Sequence, residues 1–363
     1  MKKVVLNYLV VAVIMLSAAL TSCSNEILYD GEPFDGADAG GADADEADAD
    51  MDEFFSDEGK CVYIPTYEFP DGGGWTDVKL WKNGVTEPIN GISYVTSVYV
   101  SGDDVYVAGF GIWYAALWKN GETQILGSYQ SFANSVYVSD GNVYVAGNEY
   151  QTKNTGTIQR SGSSHLDQNF IIRYQLSKNT NAYARSSSEE IQYVGVAKLW
   201  KNGEAQDITD GTYDATANSV FLAGDDVYVA GRENNEQGIS VVKLWKNGVA
   251  QNLTDGTMDG RANSVYVSDN DVYVAGTERN AQGWEVAKLW KNGEVQSLTN
   301  DNYNNTSAEA HSVYVSGEDV YVVGYVWNES GITHNVAKVW KNGAVYNLTD
   351  GSKHGYAYSV FVK

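Results

Sequence analysis

The sequence predicts an all-β protein: a six-bladed β-propeller of four-stranded blades, its C-terminal strand closing the first blade, carried on a disordered acidic tether. Three observations predict it. Trp-Lys-Asn-Gly recurs six times, starting at Trp81, Trp118, Trp200, Trp245, Trp290 and Trp340. Most copies sit in one longer unit: S-V-Y-V, a polar turn, D-V-Y-V-A-G, a variable stretch, V-A-K-L-W-K-N-G and x-x-x-L-T. Self-similarity near this period marks propellers and solenoids. Finally, the chain ends on a lone S-V-F-V at 359–362, a first strand without the rest of its unit.

The N-terminus reads as a processing signal rather than part of the fold. Lys2 and Lys3 precede an apolar run over 4–20, and Leu20-Thr21-Ser22-Cys23 follows. These residues resemble a lipobox, the bacterial lipoprotein motif. The resemblance implies a signal peptide over 1–22, acylation of Cys23 (palmitate among its chains), and lipid anchoring at the outer membrane or cell surface. A plain secretory signal and an anchoring helix are the alternatives. No other apolar stretch approaches ~20 residues, so the mature chain is expected to meet the membrane only through its lipid. With Cys23 acylated, Cys61 has no intrachain partner.

The segment 23–59 is expected to be a tether. Residues 24–58 hold 14 Asp or Glu and no Lys or Arg, and G-A-D-A-G-G-A-D-A-D-E-A-D-A-D has almost nothing to bury. Like charge repels and extends such a segment. Its carboxylates lack the fixed spacing of a calcium loop. Of the formal charge of −23, setting aside the tether and the two signal lysines leaves −11 on the propeller. Phosphate binding needs basic patches, and none is visible, so nucleic acid is not an expected partner.

The propeller is expected over 60–363. Each unit reads as strands A to D, with V-Y-V and V-Y-V-A rich in β-branched and aromatic residues. They are apolar on both faces, as a sheet between two neighbours requires. Asn-Gly closes the C–D hairpin, because both turn positions need positive φ. The motif Trp is expected to pack between blades. This unit is similar to the W-K-N-G repeat proteins found among bacterial lipoproteins and to six-bladed propellers of the NHL and YWTD type. The resemblance implies the fold only. Between Trp118 and Trp200 the spacing stretches to 82. That places an insertion of about 151–193 within blade three, a long B–C loop; a degenerate seventh blade is the alternative. The last strand, 359–362, is expected to pair with 61–64 and remove the exposed edges of an open array.

The B–C and D–A loops vary, so the face they form is where binding is expected. The position before each A-strand Ser is Thr96, Asn134, Asn218, Asn263, His311 or Tyr358. These six should ring the mouth of the central channel, where polar groups can hold a sugar, water or a cation. The alternative is that they satisfy backbone groups as the chain enters the strand. Phe110, Trp113, Tyr114, Tyr150, Trp284, Tyr325 and Trp327 lie in or beside B–C loops. Trp284 shares its repeat position with Val194 and Ile239, which fits packing; Trp327 matches no apolar position and is the loop aromatic most suited to a ligand. Arg232, Arg261 and Arg279 could converge on a carboxylate or form ordinary surface ion pairs.

No H-E-x-x-H, G-x-S-x-G, P-loop or C-x-x-C occurs, so neither metal nor other cofactor is expected and no catalytic residue is assigned. The composite reading is a lipid-anchored binding or scaffolding module for a glycan, peptide or protein partner. A carbohydrate-active hydrolase or lyase at the same mouth is the alternative, with His311 and Tyr358 as its only local pair.

Overall fold

The computed structural model describes residues 63–68, 77–82, 85–152, 193–299, 306–327 and 334–362. The segments read as signal, acylation site and tether, and most of the insertion, lie outside the described residues. The fold is all-β, a six-bladed propeller. Six antiparallel sheets follow one another along the chain. Blade one contributes strands Tyr63–Glu68, Asp77–Lys82 and Val85–Pro88. Blades two to six are four-stranded and span 94–125, 131–207, 215–252, 260–297 and 307–347. In blade three, Thr152 stands opposite Tyr193 in the B–C ladder. The insertion therefore leaves and re-enters at one end of one hairpin, and the blade is complete without it.

Each letter of the repeat has a physical task. The Ser of S-V-Y-V accepts a hydrogen bond from the Val N–H of the next blade, at 3.1–3.4 Å: Ser97 from Val136, Ser135 from Val220, Ser219 from Val265, Ser264 from Val313 and Ser312 from Val360. The two Val residues enter the core. The aromatic between them faces the channel, where Tyr99, Tyr137, Phe221, Tyr266, Tyr314 and Phe361 form a collar with consecutive centroids 4.8–5.1 Å apart. These five contacts make one continuous run of rings from Tyr99 to Phe361. Burial pushes the Tyr137 and Tyr266 phenols upward, and they stay neutral.

The motif Trp fills the space against the preceding blade, as expected. Trp118, Trp200, Trp245, Trp290 and Trp340 are at most 1% exposed. Trp245, for example, lies in one cluster with Tyr144, Ala146 and Ala197 of blade three. The other half of the motif ties two turns together. Asn120, Asn202, Asn247, Asn292 and Asn342 have φ of 45–53°, and each Oδ1 accepts the first Val N–H of the B strand. In four blades the adjacent Lys pairs at 2.6–2.7 Å with the Asp that opens D-V-Y-V. All six motif Lys also lie 5.0–5.3 Å above a Tyr ring. Hydrogen bonding to Lys holds the Asp104, Asp226, Asp271 and Asp319 carboxyls below their ordinary range.

The seam between blades six and one differs. Strand 63–68 pairs with 77–82 and with no other described strand. The C-terminal segment carries the Ser312 clip, the longest of the five, and the Phe361 ring, but no ladder bonds. Of the pairing expected with 61–64, residues 61 and 62 lie outside the described residues. Among the described residues, the contacts that seat this segment are the Ser312 hydrogen bond and the Phe361 ring. Trp81, which faces this seam in the repeat scheme, is only half-buried.

Candidate functional site

The channel mouth is built by a β-bulge repeated in blades two to six. The A–B register shifts at Val95/Ser97, Ala133/Ser135, Ala217/Ser219, Ala262/Ser264 and Ala310/Ser312. The extra residue is in each case a predicted ring position: Thr96, Asn134, Asn218, Asn263 or His311. A bulge re-aims the side chain of the residue it inserts. It also carries the A-strand backbone across the B strand, where a Cβ on Gly109, Gly147, Gly231, Gly276 or Gly324 would collide with a carbonyl oxygen. That is why D-V-Y-V-A and its variant in blade six end in Gly.

The six ring residues are not alike. Thr96 Oγ1 donates to Ala133 O at 2.7 Å, and the amides of Asn134, Asn218 and Asn263 donate to Ala217, Ala262 and Ala310 O at 2.8–2.9 Å. Each of these bonds spans to the next blade. His311 breaks the pattern: its Nε2 is buried without a hydrogen-bond partner and lies 3.7 Å from Glu309 Oε2. Its ring lies 5.0 Å from that of Tyr358. Burial lowers the His311 pKa, against the pull of Glu309, so the imidazole is neutral at neutral pH.

A second tier, two residues upstream, was not read from sequence as a tier: Tyr94, Phe132, Thr216, Arg261, Glu309 and Tyr356, of which Arg261 alone had been singled out, for a different role. A signal existed. The tier keeps a fixed offset from the ring while its residue types vary from blade to blade, unlike the rest of the unit. It divides the mouth. Tyr94 stacks on Phe110 at 5.0 Å, and Phe110 meets Phe132 at 4.9 Å. On the other side, Arg261 reaches Glu285 at 2.9 Å and Glu309 at 2.6 Å, and the Tyr325 hydroxyl donates to Glu309 at 2.6 Å. Burial pushes the Glu309 carboxyl up, but Arg261 and Tyr325 together hold it below its ordinary value.

The three arginines do not share a ligand position. Arg232 pairs with Asp214 at 3.0 Å and Arg279 with Asp259 at 3.6 Å, each within its own blade. Trp327 lies beside Trp284, stacked at 6.1 Å, so the residue assigned to packing and the one assigned to a ligand form one aromatic pair. Tyr94, Tyr356 and Tyr358 are 52%, 45% and 45% exposed. Among the described residues no group of His, Cys, Asp and Glu is arranged to hold a metal ion.

The chain matches no protein-family model and no curated protein. Among solved structures it is similar to the β-propeller domain of the Trilobed protease from Pyrococcus furiosus, at 12% identity and a TM-score of 0.48, covering 81% of this chain and 82% of that one. It is also similar to the Pyrococcus horikoshii acylaminoacyl peptidase, at 12% identity and a TM-score of 0.35, with 80% of this chain and 50% of that one covered. A Mycobacterium tuberculosis puromycin-hydrolyzing peptidase gives 9% identity and a TM-score of 0.36, over 81% and 52%.

Proposed function

We propose that this protein is a lipid-anchored binding module whose channel mouth receives part of a glycan, peptide or protein partner at the outer membrane or cell surface. One observation carries the reading. Tyr94, Tyr356 and Tyr358 are exposed at the mouth, on the A strands and C-terminal segment that also carry the run of aromatic rings below them. Exposed aromatics offer large contact area at small conformational cost. A hydrolase or lyase would need a carboxyl kept protonated or a hydrogen-bonded acid–base pair. Glu309, the most buried carboxylate of the mouth's ion pairs, is instead held ionised.

The test is a glycan-array and peptide screen on the full chain, with a product assay on every binder. Binding about tenfold weaker in Trp327→Ala or Tyr94→Ala, with no product formed, is the expected result; one aromatic contact is worth about 1 kcal/mol beyond its buried area. Turnover that disappears in His311→Ala would replace this reading with the enzymatic one.

The anchor has its own test. Cys23→Ala removes the acylation site, and each buried lipid CH₂ contributes about 0.8 kcal/mol to membrane binding. The variant is expected in the soluble fraction of cells that retain the native protein in membranes. Continued membrane fractionation would refute acylation at Cys23.

A further inference from the structure

Four rings on one side of the mouth form a closed circuit. His311 lies 5.5 Å from Tyr325 and 5.0 Å from Tyr358, and Tyr356 lies 5.1 Å from Tyr325 and 5.8 Å from Tyr358. They come from three places: the start of blade six's A strand, the end of its B strand, and the C-terminal segment. Tyr356 and Tyr358 are nearly half exposed, so the circuit opens to solvent. Behind it stands Glu309, against the Tyr325 hydroxyl and 3.7 Å from His311 Nε2.

The charge at this spot is negative. Glu309 and Glu285 share the single guanidinium of Arg261, leaving one negative charge over, and His311 is neutral. Aromatic faces attract cations within about 6 Å of their centroids, most strongly where water is excluded. The opposite face of the same protein shows that combination complete. In four blades an ammonium sits 5.0–5.2 Å over a Tyr ring and 2.6–2.7 Å from a carboxylate, the ammonium being the chain's own Lys119, Lys246, Lys291 or Lys341. Among the described residues, the circuit at the mouth presents rings and a carboxylate with no Lys of its own, the one cation there being the Arg261 that Glu309 shares with Glu285.

We propose that this circuit is a cage for the ammonium group of a small amine or of a lysine side chain, seated on the Tyr356 and Tyr358 rings with Glu309 behind it. The proposal rests on the mouth being the ligand site and narrows its ligand to a cation. An anion would meet net negative charge. A neutral sugar would gain the rings but nothing from the carboxylate.

The experiment titrates the full chain with choline and with its uncharged isostere 3,3-dimethylbutan-1-ol, and separately with a lysine-containing peptide and the same peptide acetylated on its side chain. Saturable binding of choline, the lysine peptide or both is expected, with the neutral counterparts at least about tenfold weaker. Choline alone would assign a small quaternary amine, and the lysine peptide alone a protein partner. Tyr356→Leu and Tyr358→Leu change exposed side chains and should each weaken binding about tenfold. Tyr346→Leu, on an outer strand and somewhat more exposed, should not. Equal affinity for the neutral counterparts, unchanged affinity in both mouth variants, or no saturation by either cation overturns the cage. If a neutral glycan or peptide is meanwhile lost in Trp327→Ala or Tyr94→Ala, the mouth stands as a binding site and only the cage falls. If nothing binds at the mouth, both fall.

Discussion

Trp245→Ala is expected to destabilise the propeller by about 3–5 kcal/mol, the range for truncating a buried Trp in a core that closes only partly around the cavity. Trp245 is 1% exposed and lies among Tyr144, Ala146 and Ala197 of blade three and Ala215 and Ala217 of its own blade. The small Ala neighbours cannot extend to fill the space, which puts the loss toward the upper end. Thermal unfolding should shift down by roughly 10 °C, at about 2–4 °C per kcal/mol for a domain near this size. Two companions give the scale. Trp81→Ala changes the same motif at a half-buried position facing the seam and should lose less. Val249→Ala, on an exposed outer strand, should stay within about 0.5 kcal/mol. Equal losses for Trp81 and Trp245 would contradict the inter-blade role of the motif Trp.

Removing residues 359–363 should open the ring. The deletion takes away the hydrogen bond from Val360 N–H to Ser312 and the Phe361 ring that covers Tyr314. Phe361 is half-buried, so it contributes about half of the roughly 1.5–3 kcal/mol for full burial of a Phe, with about 1 more for its aromatic contact, and about 2 kcal/mol is the expected loss. The loss should be local. In a repeat array each unit interacts with its neighbours alone, so blades six and one should lose hydrogen-exchange protection while blades three and four keep theirs. An unchanged melting temperature together with unchanged protection in blade six would show that the last strand contributes nothing to closure.

The repeat was legible because its constraints are local or strictly periodic. Asn-Gly at five described C–D turns needs positive φ, and the Asn residues adopt it. The Lys, Asp and Tyr that recur beside them meet across one hairpin pair, so a fixed spacing in sequence becomes a fixed contact. The Tyr of S-V-Y-V was legible as a strand residue but not as a collar, because alternation along a strand does not say which side faces the channel. The mouth was half legible. The ring position was found by its offset from Ser, yet Thr96 and the three Asn hydrogen-bond to the neighbouring blade, a partner that no single unit contains. Arg261 and Glu309 stand 48 positions apart in the chain and 2.6 Å apart in space.

Sequence determined the blade, the number of blades and the order in which they follow, because hairpin pairing and the motif Trp act between residues a repeat or less apart. Tertiary structure decided how the ring is joined and what its mouth presents. The C-terminal segment lies against blade six, so Tyr356 and Tyr358 meet His311 and Tyr325 of the strand pair that precedes it in the chain. These contacts span about a repeat or less, but their residue types occur in one blade alone, and a period displays spacing rather than which side chains meet.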